Sequence, residues 1–258
     1  MTERAKTPPL RPELEGSKRR AMSDADKQQR RRAILEAALW VLLDTPFEQI
    51  TVAQLAERLG LAKGTLYLYF STKEALFLEV QQQQLTLWFD ALEEALRQSG
   101  PLTAHELADL ICTTIFAQPV MPRLLTVLHT VLERNITLEQ ALSFKWFVYD
   151  RFARAAALME ARMPALAAKP AVAAAPPSPA AAAKSDAVQG PASAPGQGVE
   201  LLMRLHALVL GTWQMTDSSA VVKAAILTRT ELGIFDLQFE KVLRGALRDL
   251  ITGMAQRG

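Results

Sequence analysis

"GLAKGTLYLYFSTKEALF", residues 60–77, decides how the rest of the chain is read. "VAQLAERLG" before it and residues 62–69 within it are two short helical segments joined by the "GLA" turn, residues 60–62, which is the length of a helix-turn-helix. Sorted by face, Leu55, Leu59, Leu61, Leu66 and Phe70 pack inward. Lys63, Thr65, Tyr67 and Tyr69 are left at or near the outside. Gly64 has no side chain, so a large partner can approach the backbone closely there. The stretch holds no carboxylate pair, histidine or cysteine. It has the polar groups of a contact surface and lacks those of a reaction centre.

The flanks agree. Upstream, Ile34, Leu35, Ala38, Leu39, Val41 and Leu42 recur at helical spacing and define one apolar face. Pro46 ends that helix, because proline disfavours the α conformation before it. Thr51 stands in front of "VAQLAERLG", where a hydroxyl can accept an orphan backbone N–H, and Gly60 closes that helix. Ser71 or Thr72 caps a long helix with Glu74 in its first turn. Leu78, Leu85, Phe89, Leu92 and Leu96 are the stripe of that helix, and Gly100-Pro101 stops it.

A helix presenting lysine and threonine near its start can reach base edges in a DNA major groove. Tyrosine hydroxyls donate to phosphate oxygens. Lys73, at the next helix start, is a second phosphate site. The contact surface is therefore expected to touch double-stranded DNA. Lys18, Arg19, Arg20, Lys27, Arg30, Arg31 and Arg32 oppose only Asp24 and Asp26 just upstream. That run either reaches a minor groove or stays a solvated arm.

From about Arg31 to Phe77 the chain resembles the DNA-binding domain of the TetR/AcrR family of bacterial transcriptional regulators. The matching features are "ILEAALWVLLD", Phe47 and "ITVAQLAERLGLAKGTLYLYFSTKEALF". The resemblance implies an all-α homodimer with three N-terminal helices for DNA and a variable C-terminal ligand-binding and dimerisation domain. It also implies repression of a palindromic operator, relieved by a small molecule. Carried over by position, Thr51 matches a phosphate contact. Lys63, Gly64, Thr65, Tyr67 and Tyr69 match recognition-helix contacts, and Lys73 matches a phosphate-binding lysine. Pro46 departs from a frequent glycine, Ala62 from a frequent serine, and Leu68 from a frequent polar or aromatic residue. These departures bear on base preference.

The rest reads as helices at about 103–117, 120–134, 137–162, 199–215 and 236–255, with a turn or short helix at 218–232. Residues 164–198 hold 14 alanines and 7 prolines in 35 positions. Such composition is expected to be a disordered insertion. The domain reading is a disordered basic arm over 1–25, the helix-turn-helix domain over 26–72, and a regulatory and dimerisation bundle over 73–258. Aromatic-rich helices leave room for an apolar cavity that takes a small apolar or amphipathic effector. The candidate lining is Trp88, Phe89, Phe116, Met121, His129, Trp146, Phe147 and Trp213. By the resemblance, residues 199–215 and 236–255 pair with their twins in a homodimer.

Composition sets the remaining bounds. Half of the 258 residues are hydrophobic, enough for a sizeable core, and the net charge of +2 names no partner by itself. Cys112 is the only cysteine, which excludes an internal disulfide and fits a reducing cytoplasm. His105, His129 and His206 lie on separate predicted helices with no ligand-spaced partner, so no metal, cofactor or enzymatic centre is expected. No apolar run reaches the length of a membrane span. The rival reading is a DNA-binding activator or architectural protein without an effector.

Overall fold

Three threonines start three helices in the same way. Thr51, Thr103 and Thr137 each accept the backbone N–H of the residue three ahead, and Gln54, Glu106 and Gln140 reach back to the threonine backbone. These capping boxes satisfy donors that a helix start otherwise leaves bare. They fix the starts of α2 (Val52–Arg58), α5 (Ala104–Phe116) and α7 (Leu138–Arg162), which are interspersed with α1 (Glu13–Asp44), α3 (Lys63–Tyr67), α4 (Lys73–Gln98) and α6 (Met121–Thr130) in an all-helical order. Then come α8 (Gln197–Thr216), α9 (Ala220–Ile226) and α10 (Phe239–Arg257). The computed structural model describes residues 13–167 and 196–257, and no strand occurs among the described residues. The chain divides into two units at Val80–Gln81.

In the first unit, Ile34, Leu35, Ala38, Val41 and Leu42 of α1 are buried, as the helical spacing requires. Phe47 meets Phe77 edge-on, with ring centroids 5.1 Å apart. Leu55, Leu66 and Phe70 are buried with them, while Leu59 and Leu61 are only partly covered. α2 ends on Gly60 at φ 63°, and the amides of Gly60 and Leu61 return to the carbonyls of Glu57 and Ala56. That is a Schellman closure, and it needs a residue tolerant of positive φ. Thr72, rather than Ser71, caps α4 by accepting the Ala75 amide at 3.0 Å. Arg31 closes the unit from α1: its guanidinium donates to the Tyr69 carbonyl and to Glu79, and lies 4.4 Å from the Phe70 ring centroid. α1 begins at Glu13, well inside the arm expected to be disordered over 1–25; residues 1–12 lie outside the described residues.

The second unit is a bundle in which α10 packs on α5 and α8, and α8 packs on α6 and α7. Leu85, Phe89, Leu92 and Leu96 of α4 are buried, with Phe89 between Trp88 and Phe152. Asp109 of α5 accepts from Arg244 and Arg248 of α10. The Arg248 hydrogen bond holds that carboxyl below its ordinary range against the opposing effect of burial. Burial pushes the Cys112 thiol up to about 11, which makes it an inert core residue. The expected helix at 120–134 is split, with α6 ending at Thr130 and a 3-10 turn at Leu132–Arg134. Of the expected insertion 164–198, Pro164–Leu166 form a 3-10 turn and Gln197 opens α8, while 168–195 lie outside the described residues. No single helix among the described residues is long and apolar enough to cross a membrane.

Candidate functional site

The outward side of α2–turn–α3 is polar by construction. Leu55 and Leu66 are turned into the first unit, so residues offset from them on each helix face out. Lys63 and Gly64 are exposed, Thr65 and Tyr69 are half-buried, and Tyr67 is 46% exposed. A Cβ placed on Gly64 would meet nothing within 4 Å. Leu68 is 84% exposed, an apolar group standing beside this polar set with no partner in the fold to account for it. The Thr51 hydroxyl accepts the Gln54 amide at 3.2 Å and lies 3.0 Å from the Gln54 side-chain oxygen, so it is already engaged as a cap.

Lys73 has a job inside the unit. Its ammonium donates to the carbonyls of Phe47 and Ile50, both at 3.0 Å, and lies 4.2 Å from the Phe47 ring centroid. An ammonium has three donors, so one remains for an outside acceptor. Lys73→Ala is expected to lower the stability of this unit by about 1–3 kcal/mol, since two carbonyls lose a charged donor. A urea titration checks that figure. A variant as stable as the parent would mean that water replaces the ammonium at no cost.

The second unit holds a cavity of about 340 Å³. Its wall is largely apolar, with Leu85, Trp88, Met121, Leu128, Phe144 and Leu202 among the lining residues. Of the sequence candidates, Trp88, Met121 and His129 line it together. Phe116 and Trp213 line a separate, more open hollow with Phe239. Phe89 is buried in the core beside Trp88 and lines neither. Trp146 is 68% exposed and stacks edge-on with Tyr149, and neither it nor Phe147 lines either cavity.

Lys145 and His206, which sequence reasoning missed as lining residues, join His129 at the cavity. The Nε2 atoms of His129 and His206 are 2.8 Å apart. His129 Nδ1 lies 3.1 Å from Glu133 Oε2, and Lys145 Nζ donates to Glu133 Oε1 at 2.5 Å. The His129–Glu133 spacing of one helical turn was visible in the sequence; the partner 77 residues away was not. Among the described residues, no group of three or more His, Cys, Asp or Glu is arranged to hold a metal ion.

Burial first, then the fields of His129 and Lys145, push His206 down to about 4. Burial works to raise the Glu133 carboxyl, but Lys145 and His129 outweigh it and hold that group below its usual range. The His206 shift has a definite sign for stability. An unfolded histidine takes up a proton near pH 6.5, whereas the folded one resists until about pH 4. The stabilisation is thus complete above pH 6.5 and lost as pH falls from 6.5 to 4. It amounts to roughly 3 kcal/mol. The denaturant midpoint of the wild type is expected to fall relative to that of His206→Leu as pH drops through that window; parallel curves would remove the effect.

Residues 34–80 match the family described as "Bacterial regulatory proteins, tetR family". Residues 82–191 and 180–258 match the one described as "Tetracyclin repressor-like, C-terminal domain". The fatty acid metabolism regulator protein of Bacillus subtilis (strain 168) is 29% identical over 84 residues, which are 33% of this chain and 42% of that protein. The HTH-type transcriptional regulator RutR of Escherichia coli (strain K12) is 36% identical over 75 residues, 29% of this chain and 35% of that protein. The chain thus matches less than half the length of these two relatives. Among solved structures, the fatty acid degradation regulator FadR from Bacillus halodurans shares the fold with a TM-score of 0.50 and 15% identity, over 86% of this chain and 94% of that one. With family models matching residues 34–80 and, in two overlapping stretches, 82–258, the protein belongs to the tetR family of bacterial regulatory proteins.

Proposed function

We propose that the protein is a sequence-specific DNA-binding transcriptional regulator, a homodimeric repressor whose hold on a palindromic operator is relieved by a small apolar or amphipathic ligand. The observation that carries the reading is the face of α3: Lys63, Gly64 and Tyr67 are all exposed, with open space over the glycine. Thr65 and Tyr69 at its edge, Thr51 at the start of α2 and the spare donor of Lys73 complete the proposed DNA contacts. Thr51 and Lys73 would act there in addition to their engagements within the fold.

Relief requires a ligand that binds one conformation better than another, and the shift it produces is limited by that difference. The cavity supports a ligand site, since about 340 Å³ falls at the lower end of the range for small-molecule pockets. It also weighs against a regulator without an effector. Two recognition helices set about 34–36 Å apart would enter successive major grooves. Selection of bound duplexes from a random pool tests the reading. The expected yield is an inverted repeat with half-sites about one helical turn apart. A pool that enriches no common sequence at moderate salt would sink it.

The dimer is assigned to α8 and α10. α8 carries an exposed row of Met203, Ala207, Gly211 and Met215 at four-residue spacing, and Gly245 is exposed on α10. A Cβ on Gly211 or Gly245 would meet nothing within 4 Å in a single chain. Gly211→Leu is therefore expected to leave the lone chain folded, with helix stability raised by up to about 1 kcal/mol. Assembly should weaken by about tenfold or more, as overpacking a close helix contact does. Sedimentation over a concentration series reads both states, and an unaltered dimer would move the interface elsewhere.

A further inference from the structure

We propose that the ligand of this cavity is an amphipathic acid: its apolar body occupies the Trp88–Phe144 cavity and its anionic head sits on Lys145 and the His129–His206 pair. The inference rests on the ligand-site reading above and specifies the chemistry of the head.

The donors decide it. The cavity wall is apolar except where His129, Lys145 and His206 reach it. Glu133, the carboxylate that orders them, does not line the cavity. It stands behind, holding His129 through Nδ1 and Lys145 through Nζ. A ligand head arriving from the cavity therefore meets imidazole rings and an ammonium before it meets any carboxylate. Lys145 spends one donor on Glu133 and keeps two. With His129 Nδ1 turned to Glu133, one N–H fills the 2.8 Å between the Nε2 atoms, so the two rings border the head while Lys145 supplies the charge that faces it. A cationic head would face Lys145 directly and find Glu133 already occupied.

Position favours a charged head as well. Lys145 is well exposed, and His129 and Glu133 are only partly covered. The polar group thus stays near solvent while the body is buried, so an anion keeps part of its hydration instead of losing it in the apolar interior. An alcohol of equal length would gain the same apolar burial and forgo the pairing of two opposite charges, in which both donor and acceptor are ionised.

Calorimetric titration of the full chain, free of DNA, with decanoate, decan-1-ol and decyltrimethylammonium below their micellar concentrations separates the possibilities. Decanoate is expected to bind once per chain and about tenfold tighter than the alcohol, the return of one charge-assisted hydrogen bond. The cation should bind weakest. Lys145→Met, at an exposed position, should cost decanoate far more than the alcohol and so bring the two affinities together. If the alcohol or the cation binds as well as the acid, or if Lys145→Met leaves the ratio unaltered, the head assignment is overturned and the cavity reading stands. If none of the three binds, the cavity reading fails and takes this inference with it.

Discussion

Gly64→Leu should abolish specific DNA binding while leaving the protein at least as stable as before. The two halves of that expectation come from different facts. Gly64 lies within α3 with no positive φ, which among the described glycines belongs to Gly60 alone, and open space surrounds its Cβ position. The fold therefore has no use for a glycine there. A glycine inside a helix costs roughly 0.5–1 kcal/mol relative to alanine, so a side chain should recover part of that. The fold tolerates the cost, and the proposed DNA contact would account for the gap between Lys63 and Tyr67. A leucine in that gap would hold α3 off the groove floor and lift every neighbouring contact together. Affinity for the selected duplex should then fall to the non-specific level, a loss of roughly a thousandfold or more. Gly64→Ala should fall between the two. Anisotropy titrations against the selected and a scrambled duplex, with thermal melts of the same samples, give both quantities. Retention of affinity within about threefold would mean that α3 does not sit in a groove. A drop in melting temperature large enough to unfold the unit would mean that the glycine serves the fold after all.

What the sequence disclosed was what is decided within one or two helical turns. Thr51 could be read as a cap because its partner, Gln54, is three residues on. The burial of Leu85, Phe89, Leu92 and Leu96 follows from their spacing alone. Contacts that depend on a second element were hidden. A lysine at position 73 looks like a surface charge or a phosphate ligand until the carbonyls of Phe47 and Ile50, 26 and 23 residues upstream, are seen beneath it. Trp88 and Phe89 are adjacent and equally aromatic, yet one lines the cavity and the other fills the core. A step of about 100° around the helix separates them, and composition carries no information about which side faces the space. Leu142, Trp146 and Tyr149 show the same limit, being exposed on α7 where an apolar pattern reads as burial. The early start of α1 escaped notice for the opposite reason. "ELEGSKRRAMSDADKQQRR" has no apolar rhythm to announce a helix. The His129–His206 pair was beyond reach because its two halves come from α6 and α8, on either side of the Ala/Pro-rich segment.

The core of the second unit contains a buried ion pair. The Arg151 side chain on α7 is 9% exposed and that of Glu93 on α4 is 5% exposed, with 3.1 Å between them. Arg151 also pairs with Asp90 at 2.5 Å and lies 5.3 Å from the Phe89 ring centroid. Arg97 donates to the other Glu93 oxygen at 2.8 Å. One guanidinium thus ties α7 to α4 and lies over an aromatic core residue at the same time. Arg151→Met keeps most of the volume and removes the charge. Glu93 would then be a carboxylate inside the bundle with only the half-exposed Arg97 to balance it. Breaking a buried pair from one side costs about 3–5 kcal/mol, a large part of the stability of a typical domain. The urea midpoint should fall accordingly, and a second change should restore part of it: Glu93→Gln in the same chain removes the stranded charge, so the double variant should be more stable than Arg151→Met alone. This non-additivity distinguishes the electrostatic cause from lost packing, which Glu93→Gln could not repair. Additive losses would assign Arg151 a packing role on Phe89. A single variant within about 1 kcal/mol of wild type would place the pair among those whose desolvation cancels their attraction.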